Sequence, residues 1–233
     1  MRVFIHPGYG RTATTTLQNH LFGVHSQILP LGRPWTDGTK AFLGEIKKRN
    51  SLYYDAEKVC GLRDGLINGE NKKTIVLSDE NLQNYKNREM GDIFLSRIKE
   101  LFVDSEVLII IRSQVDAIES FYLNHGRILK GVPEPFNGRH VTLEAWLKWS
   151  FDNWENSYFS HIDYNSHVTK YENIFGKGKV HVLLFEDFVG NQQRFITQLT
   201  SILNVDYEEA MHCVSTKHDN SSVKKTKIYV FSG

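Results

Sequence analysis

Short apolar blocks rich in β-branched residues alternate along this chain with stretches whose apolar positions recur at helical spacing. The blocks are VFI at 3–5, TIVL at 74–77, VLIII at 107–111 and VHVLLF at 180–185. Continuous apolarity, without a polar residue at every second position, marks strands covered on both faces. A polar turn and a helical pattern follow each block. Leu17, Leu21 and Phe22 form the apolar stripe after the first, and Val115, Ile118, Phe121 and Leu129 the stripe after Arg112. Strands alternating with helices build a mostly parallel sheet with helices on either side. The expected fold class is α/β: a three-layer α/β/α domain spanning residues 1–233 around a central, mostly parallel sheet. Ligands of such sheets lie beyond the carboxyl ends of the strands, so the loops at 7–12, 78–81 and 112–114 are expected to converge.

Between residues 131 and 178 the texture changes. A turn with Pro133, Pro135 and Gly138 opens an aromatic-rich helical insertion that carries Trp146, Trp149, Trp154, Tyr158, Phe159, Tyr164 and Tyr171. Aromatic residues at helical spacing more often fill a core than line a binding face, and both readings stay open from sequence.

Composition narrows the function. A length of 233 residues with 40% hydrophobic and 24% charged positions is ordinary for one globular domain. The formal net charge of +1 supplies no global field for nucleic acid or an anionic membrane, so an anion site must be local. Cys60 and Cys213 form no CxxC pair, which argues against zinc and a disulfide scaffold and for a reducing cytoplasm. The opening MRVFIHPGYG does not read as a signal peptide, and no run approaches the roughly 18 apolar residues of a membrane span. Neither HxH, HExxH nor a carboxylate cluster at ligand spacing occurs, so no metal is expected.

The stretch HPGYGRTATTTLQ, residues 6–18, leaves the first strand and opens a helix, where backbone N–H groups and the helix dipole hold anions. Gly8 and Gly10 permit a tight turn and close approach, Arg11 brings a fixed cation, and Thr12, Thr14, Thr15 and Thr16 bring hydroxyls. The bland alternative is a threonine-rich helix cap after a glycine turn. GxxxxGK[ST] spacing is missing, which disfavours ATP or GTP hydrolysis. Further on, Arg112 leaves a strand end and Ser120 follows eight residues later, about two helical turns along, so that two elements can grip one phosphate. Ser78, Asp79 and Glu80 emerge on the same sheet edge.

These motifs resemble the sulfotransferase family. Arg11 falls on that family's loop lysine, Thr12 on its serine or threonine, Ala13 on its glycine, Thr14 and Thr15 on its threonine pair, and Leu17 and Gln18 follow in register. Thr16 stands where some cytosolic members have a tryptophan. The arginine-to-serine spacing, with Asp116 between and Tyr122 two residues beyond, is similar to the family's grip on the donor 3′-phosphate. The resemblance implies a P-loop-NTPase-like fold. It implies 3′-phosphoadenosine 5′-phosphosulfate (PAPS) as donor co-substrate and a metal-free transfer of a sulfuryl group to a hydroxyl or amine. It also implies an acceptor of carbohydrate or other small hydroxyl type, for which the aromatic insertion is a candidate platform.

Gly8, Gly10, Arg11, Thr12, Ala13, Thr14, Thr15, Thr16, Arg112 and Ser120 are then the donor-binding residues. Arg11, Glu80 and Asp79 are the catalytic candidates, Glu80 first as base because many carbohydrate-modifying members use a glutamate there. His6, His20 and His125 are weaker bases. Ser221, Ser222, Lys224 and Lys225 are the only candidates for a loop completing the nucleotide pocket. A P-loop-type nucleotide kinase, or a catalytically decayed nucleotide- or glycan-binding module, is the competing expectation. Oligomeric state is not legible.

Overall fold

The computed structural model of the chain describes residues 1–48, 50–83, 88–126, 136 and 141–215. Leu129, the turn with Pro133, Pro135 and Gly138, the side chain of His125, and Ser221, Ser222, Lys224 and Lys225 lie outside the described residues.

Five strands form the sheet: β1 (Arg2–His6), β2 (Ile28–Pro30), β3 (Thr74–Ser78), β4 (Glu106–Ile111) and β5 (Val180–Leu184). Their order is β2-β3-β1-β4-β5 and every pairing is parallel. The four expected strands are all present. β2 was not expected, because three residues ending in Pro30 carry little pattern, and proline is confined to such edge positions. Phe185 was expected in the last strand but starts a helix instead, where Glu186 and Asp187 in the first turn suit the positive end of the helix dipole.

The helices are α1 (Thr14–Leu17), α2 (Asp37–Ile46), α3 (Ala56–Ile67), α4 (Arg88–Leu101), α5 (Gln114–Phe121), α6 (Leu143–Asp152), α7 (Tyr158–His161), α8 (Tyr164–Phe175), α9 (Phe185–Gly190), α10 (Gln192–Leu203) and α11 (Tyr207–Ser215). Wider π-type turns prolong α1 to Phe22 and α5 to Gly126.

Alternate side chains of the strands enter opposite cores, as the two-residue period of a strand requires. Ile5, Ile75, Leu77, Val107 and Ile109 meet Phe42, Leu43 and Ile46 of α2, Ile98 of α4, and Tyr171 and Phe175 of α8. Phe4, Val76, Leu108, Ile110 and Leu183 meet Leu17, Leu21 and Phe22, Phe195, Ile196 and Leu199 of α10, and Val214 of α11. Full burial of each such side chain contributes roughly 1.5–3 kcal/mol. The expected three-layer α/β/α arrangement around a parallel sheet is thus the observed one.

A third cluster collects Ala117, Tyr122, Trp146, Tyr158, Phe159 and Ile162. Phe121 stacks on Tyr158 with ring centroids 3.8 Å apart. Trp146, Tyr158 and Phe159 of the insertion thus help build a core of their own, while Phe151 and Trp154 remain exposed. Val115, placed on the apolar stripe by periodicity, is exposed, because α5 turns Ala117, Ile118 and Phe121 inward instead. Tyr171 and Phe175 lie on the sheet, so α8 serves as its crossover helix.

Candidate functional site

Beyond β1 the chain turns through left-handed backbone at Gly8 (φ 61°), Arg11 (φ 72°) and Ala13 (φ 59°). Gly8 is required for space as well as conformation: a Cβ there would stand 2.9 Å from Thr14 Cγ2 and 3.1 Å from Glu80 Cγ. Gly10 carries no positive φ, and nothing lies within 4 Å of where its Cβ would be, so its face of the loop is open. Thr12 and Thr14 are buried, and both hydroxyls donate to the Tyr9 carbonyl, at 2.7 and 3.1 Å. They fasten the turn. Thr16 is buried beneath it and Thr15 is half-buried.

The helix that follows starts at Ala13 without a side-chain cap. By contrast α2, α3, α6, α8 and α10 are capped by Thr36, Asp55, Thr142, Asp163 and Asn191. Ala13 has no side chain to offer the first amides of α1, and amides so placed are the kind that suit an anion.

Tyr9, which sequence reasoning passed over as a turn residue between two glycines, is 1% exposed. Its ring meets Tyr164 edge-on at 5.1 Å, His161 at 5.2 Å and His167 at 5.9 Å. The side chain is lodged in the helical elaboration while its carbonyl collects the two threonines. An aromatic residue inside a glycine turn was the one available signal.

Arg11, Arg112 and Ser120 converge. Arg11 Nε donates to Ser120 Oγ at 2.8 Å, and Arg112 Nη1 donates to the Arg11 carbonyl at 3.3 Å. The Arg112 guanidinium stands 5.0 Å from the centre of the Phe185 ring. Its Nε is buried and has no hydrogen-bond partner among the described residues. The backbone N–H of Ser113 donates to Glu186 at 2.7 Å, which ties the end of β4 to the start of α9. Beside them an open cleft of about 470 Å³ is lined by Ile111, Arg112, Gln114, Tyr164 and Leu184 among others.

On the other side of the loop, Asp79 and Glu80 face different ways. Asp79 is buried, ion-paired with Lys47, and accepts two hydrogen bonds from Asn81 at 2.9 Å. Burial pulls the Lys47 ammonium down to about 8 even with that partner. Glu80 lies over Gly8. Desolvation raises its pKa above the ordinary carboxylate value, and the Arg33 charge opposes the rise. His6 is fully buried, bonded through Nδ1 to Ser78 Oγ at 2.8 Å, and burial lowers it to about 4, so it stands as a neutral strut under the loop. Gln18 donates to the same hydroxyl at 2.8 Å.

Among the described residues there is no cluster of three or more His, Cys, Asp or Glu placed to hold a metal, and no helix is long and apolar enough to cross a membrane.

No family model and no curated protein matches the sequence. Solved structures do. The chain is similar to a sulfotransferase from Alicyclobacillus acidocaldarius, with 18% identity and a TM-score of 0.58 over 89% of this chain and 83% of that one. It is also similar to the sulfotransferase domain from the curacin biosynthetic pathway, with 19% identity and a TM-score of 0.51 over 94% of this chain and 78% of that one. The fold is that of the sulfotransferases.

Proposed function

We propose, from a chain with the sulfotransferase fold and a three-residue anion grip at its strand ends, that the protein transfers a sulfuryl group from PAPS to a hydroxyl or amine acceptor of carbohydrate or other small-molecule type. The observation that carries the reading is the meeting of Arg11 with both Ser120 and Arg112, beside an uncapped helix start.

In this reading the amides from Gly8 to Thr16 and the Arg11 guanidinium hold the 5′-phosphosulfate, and Arg112 with Ser120 holds the 3′-phosphate. The bound donor supplies an activated sulfur. The acceptor heteroatom attacks that sulfur as the bond from sulfur to the phosphate oxygen breaks, and its electron pair leaves on adenosine 3′,5′-bisphosphate. Charge growing on the leaving oxygen is met by Arg11 and the amides, donors fixed before reaction and so free of reorganisation cost. The acceptor proton passes to Glu80, whose raised pKa makes it a stronger base than an ordinary carboxylate. Asp79 is committed to Lys47 and Asn81 and acts by fixing the strand end from which Glu80 projects.

A nucleotide kinase finds neither a loop lysine nor a magnesium-holding carboxylate in this loop. A decayed binding module draws on Arg11 and Ala13, which stand at left-handed positions where the family has lysine and glycine. Calorimetric titration with adenosine 3′,5′-bisphosphate, AMP and ATP tests the reading. Selective binding of the bisphosphate, reduced at least tenfold in Arg112→Ala, is expected. Equal binding of all three nucleotides overturns it. Sulfate transfer that falls by roughly 10²–10⁴-fold in Glu80→Gln separates an enzyme from a binder.

A further inference from the structure

The turn after β2 runs across the carboxyl edge of the sheet beside Glu80 and takes no part in the donor grip. Two contacts hold it down. Gly32 packs so closely on β3 that a Cβ would stand 2.1 Å from the Ser78 carbonyl oxygen, and Pro34 packs against Gly23. Between and after these anchors, Arg33 and Trp35 are exposed. Among the described residues the Arg33 guanidinium has no hydrogen bond and no ion pair, and its charge acts on Glu80. Trp35 is 36% exposed, with the Lys47 ammonium 5.8 Å from its ring centre, and Lys47 is itself bound to Asp79.

A rigidly held strip thus presents an uncommitted guanidinium and an open aromatic surface beside the carboxylate that takes the acceptor proton. An aromatic face suits the C–H face of a sugar ring, and a fork of N–H donors suits a carboxylate. Lys47 is already neutralised by Asp79, which leaves Arg33 as the group that selects charge.

We propose, on the basis of the sulfotransferase reading, that Arg33 and Trp35 form the acceptor-recognition pair and that the acceptor is an acidic sugar, its carboxylate bound by Arg33 and its ring by Trp35. The placement has a chemical consequence. Arg33 is the cation that holds Glu80 down, so a carboxylate bound to Arg33 cancels that influence and makes Glu80 a stronger base. A neutral sugar at the same place does not.

The test uses p-nitrophenyl β-D-glucuronide and p-nitrophenyl β-D-glucoside as probes, in ligand-observed NMR with and without adenosine 3′,5′-bisphosphate and in transfer assays with PAPS. The glucuronide is expected to bind about tenfold or more tightly than the glucoside. Arg33→Ala is expected to erase that preference with nucleotide affinity unchanged, and Arg33→Lys to restore part of it. Trp35→Ala is expected to weaken both sugars. Equal or tighter binding of the glucoside, a preference that survives Arg33→Ala, or no binding of either sugar to a chain that still binds nucleotide overturns the proposal. Failure to bind nucleotide overturns the donor reading instead, and the sugar comparison without nucleotide then still decides the role of Arg33.

Discussion

Arg11 and Ser120, 109 residues apart in sequence, are joined by a 2.8 Å hydrogen bond from the guanidinium Nε to the hydroxyl oxygen. The loop after β1 and the helix after β4 therefore form one surface before any nucleotide arrives, and the bond fixes the rotamer of the loop's only cation. Ser120→Ala is expected to lower affinity for adenosine 3′,5′-bisphosphate by about 1–2 kcal/mol and to leave AMP affinity nearly unchanged, by calorimetry. Arg11→Ala and Ser120→Ala are expected to couple non-additively in a double-mutant cycle, because each removes the other's partner.

Glu80 carries a prediction about pH. Desolvation raises its pKa in the folded chain, so the folded state holds the proton more tightly than the unfolded one. The associated stability is fully present below the ordinary carboxylate pKa and is lost as pH rises through the raised folded value. Glu80→Gln is expected to raise the thermal midpoint at neutral pH and not at acid pH, and to lower kcat by roughly 10²–10⁴-fold. In the wild type, kcat is expected to fall with acidification at a pH above the ordinary carboxylate pKa. Melting curves and pH–rate profiles of the two proteins check this.

Tyr9→Ala opens a cavity among Tyr164, His161 and His167 and releases the carbonyl that fastens Thr12 and Thr14. A loss of about 3–5 kcal/mol in urea denaturation is expected. Nucleotide affinity is expected to fall with it under conditions where the variant is still folded. A destabilised variant with undiminished affinity would show that the loop keeps its shape without the anchor.

Ala13 holds a left-handed backbone (φ 59°, ψ 14°) in which its Cβ crowds the following carbonyl. Ala13→Gly is expected to stabilise the chain by up to about 1 kcal/mol, seen as a rise of a few degrees in thermal midpoint, with donor affinity preserved or improved.

What could be read in advance follows from how each feature acquires its stability. β1, β3 and β4 are covered on both faces, so burial wrote them into the chain as unbroken apolar runs. β2 is three residues at the sheet edge, held by main-chain pairing to β3 and finishing at Pro30, and main-chain pairing leaves no residue signature. The spacing of Arg112 to Ser120 was legible because both lie within one strand-and-helix unit, while the bond from Ser120 to Arg11 depends on how two distant loops pack. Asp79 and Glu80, adjacent and chemically alike, were told apart by Lys47, which sits on α2 where only the tertiary fold brings it near. The exposed pair Arg33 and Trp35 had no period to betray it.

The lodging of Tyr9 between α7 and α8 bears on the order in which the chain is made. The loop after β1 is synthesised well before the side chains that seat it, which arrive only with His161, Tyr164 and His167. A nascent chain stalled before those residues carries the whole loop motif without its mould. A chimera that exchanges the loop with a relative has to exchange the two helices as well.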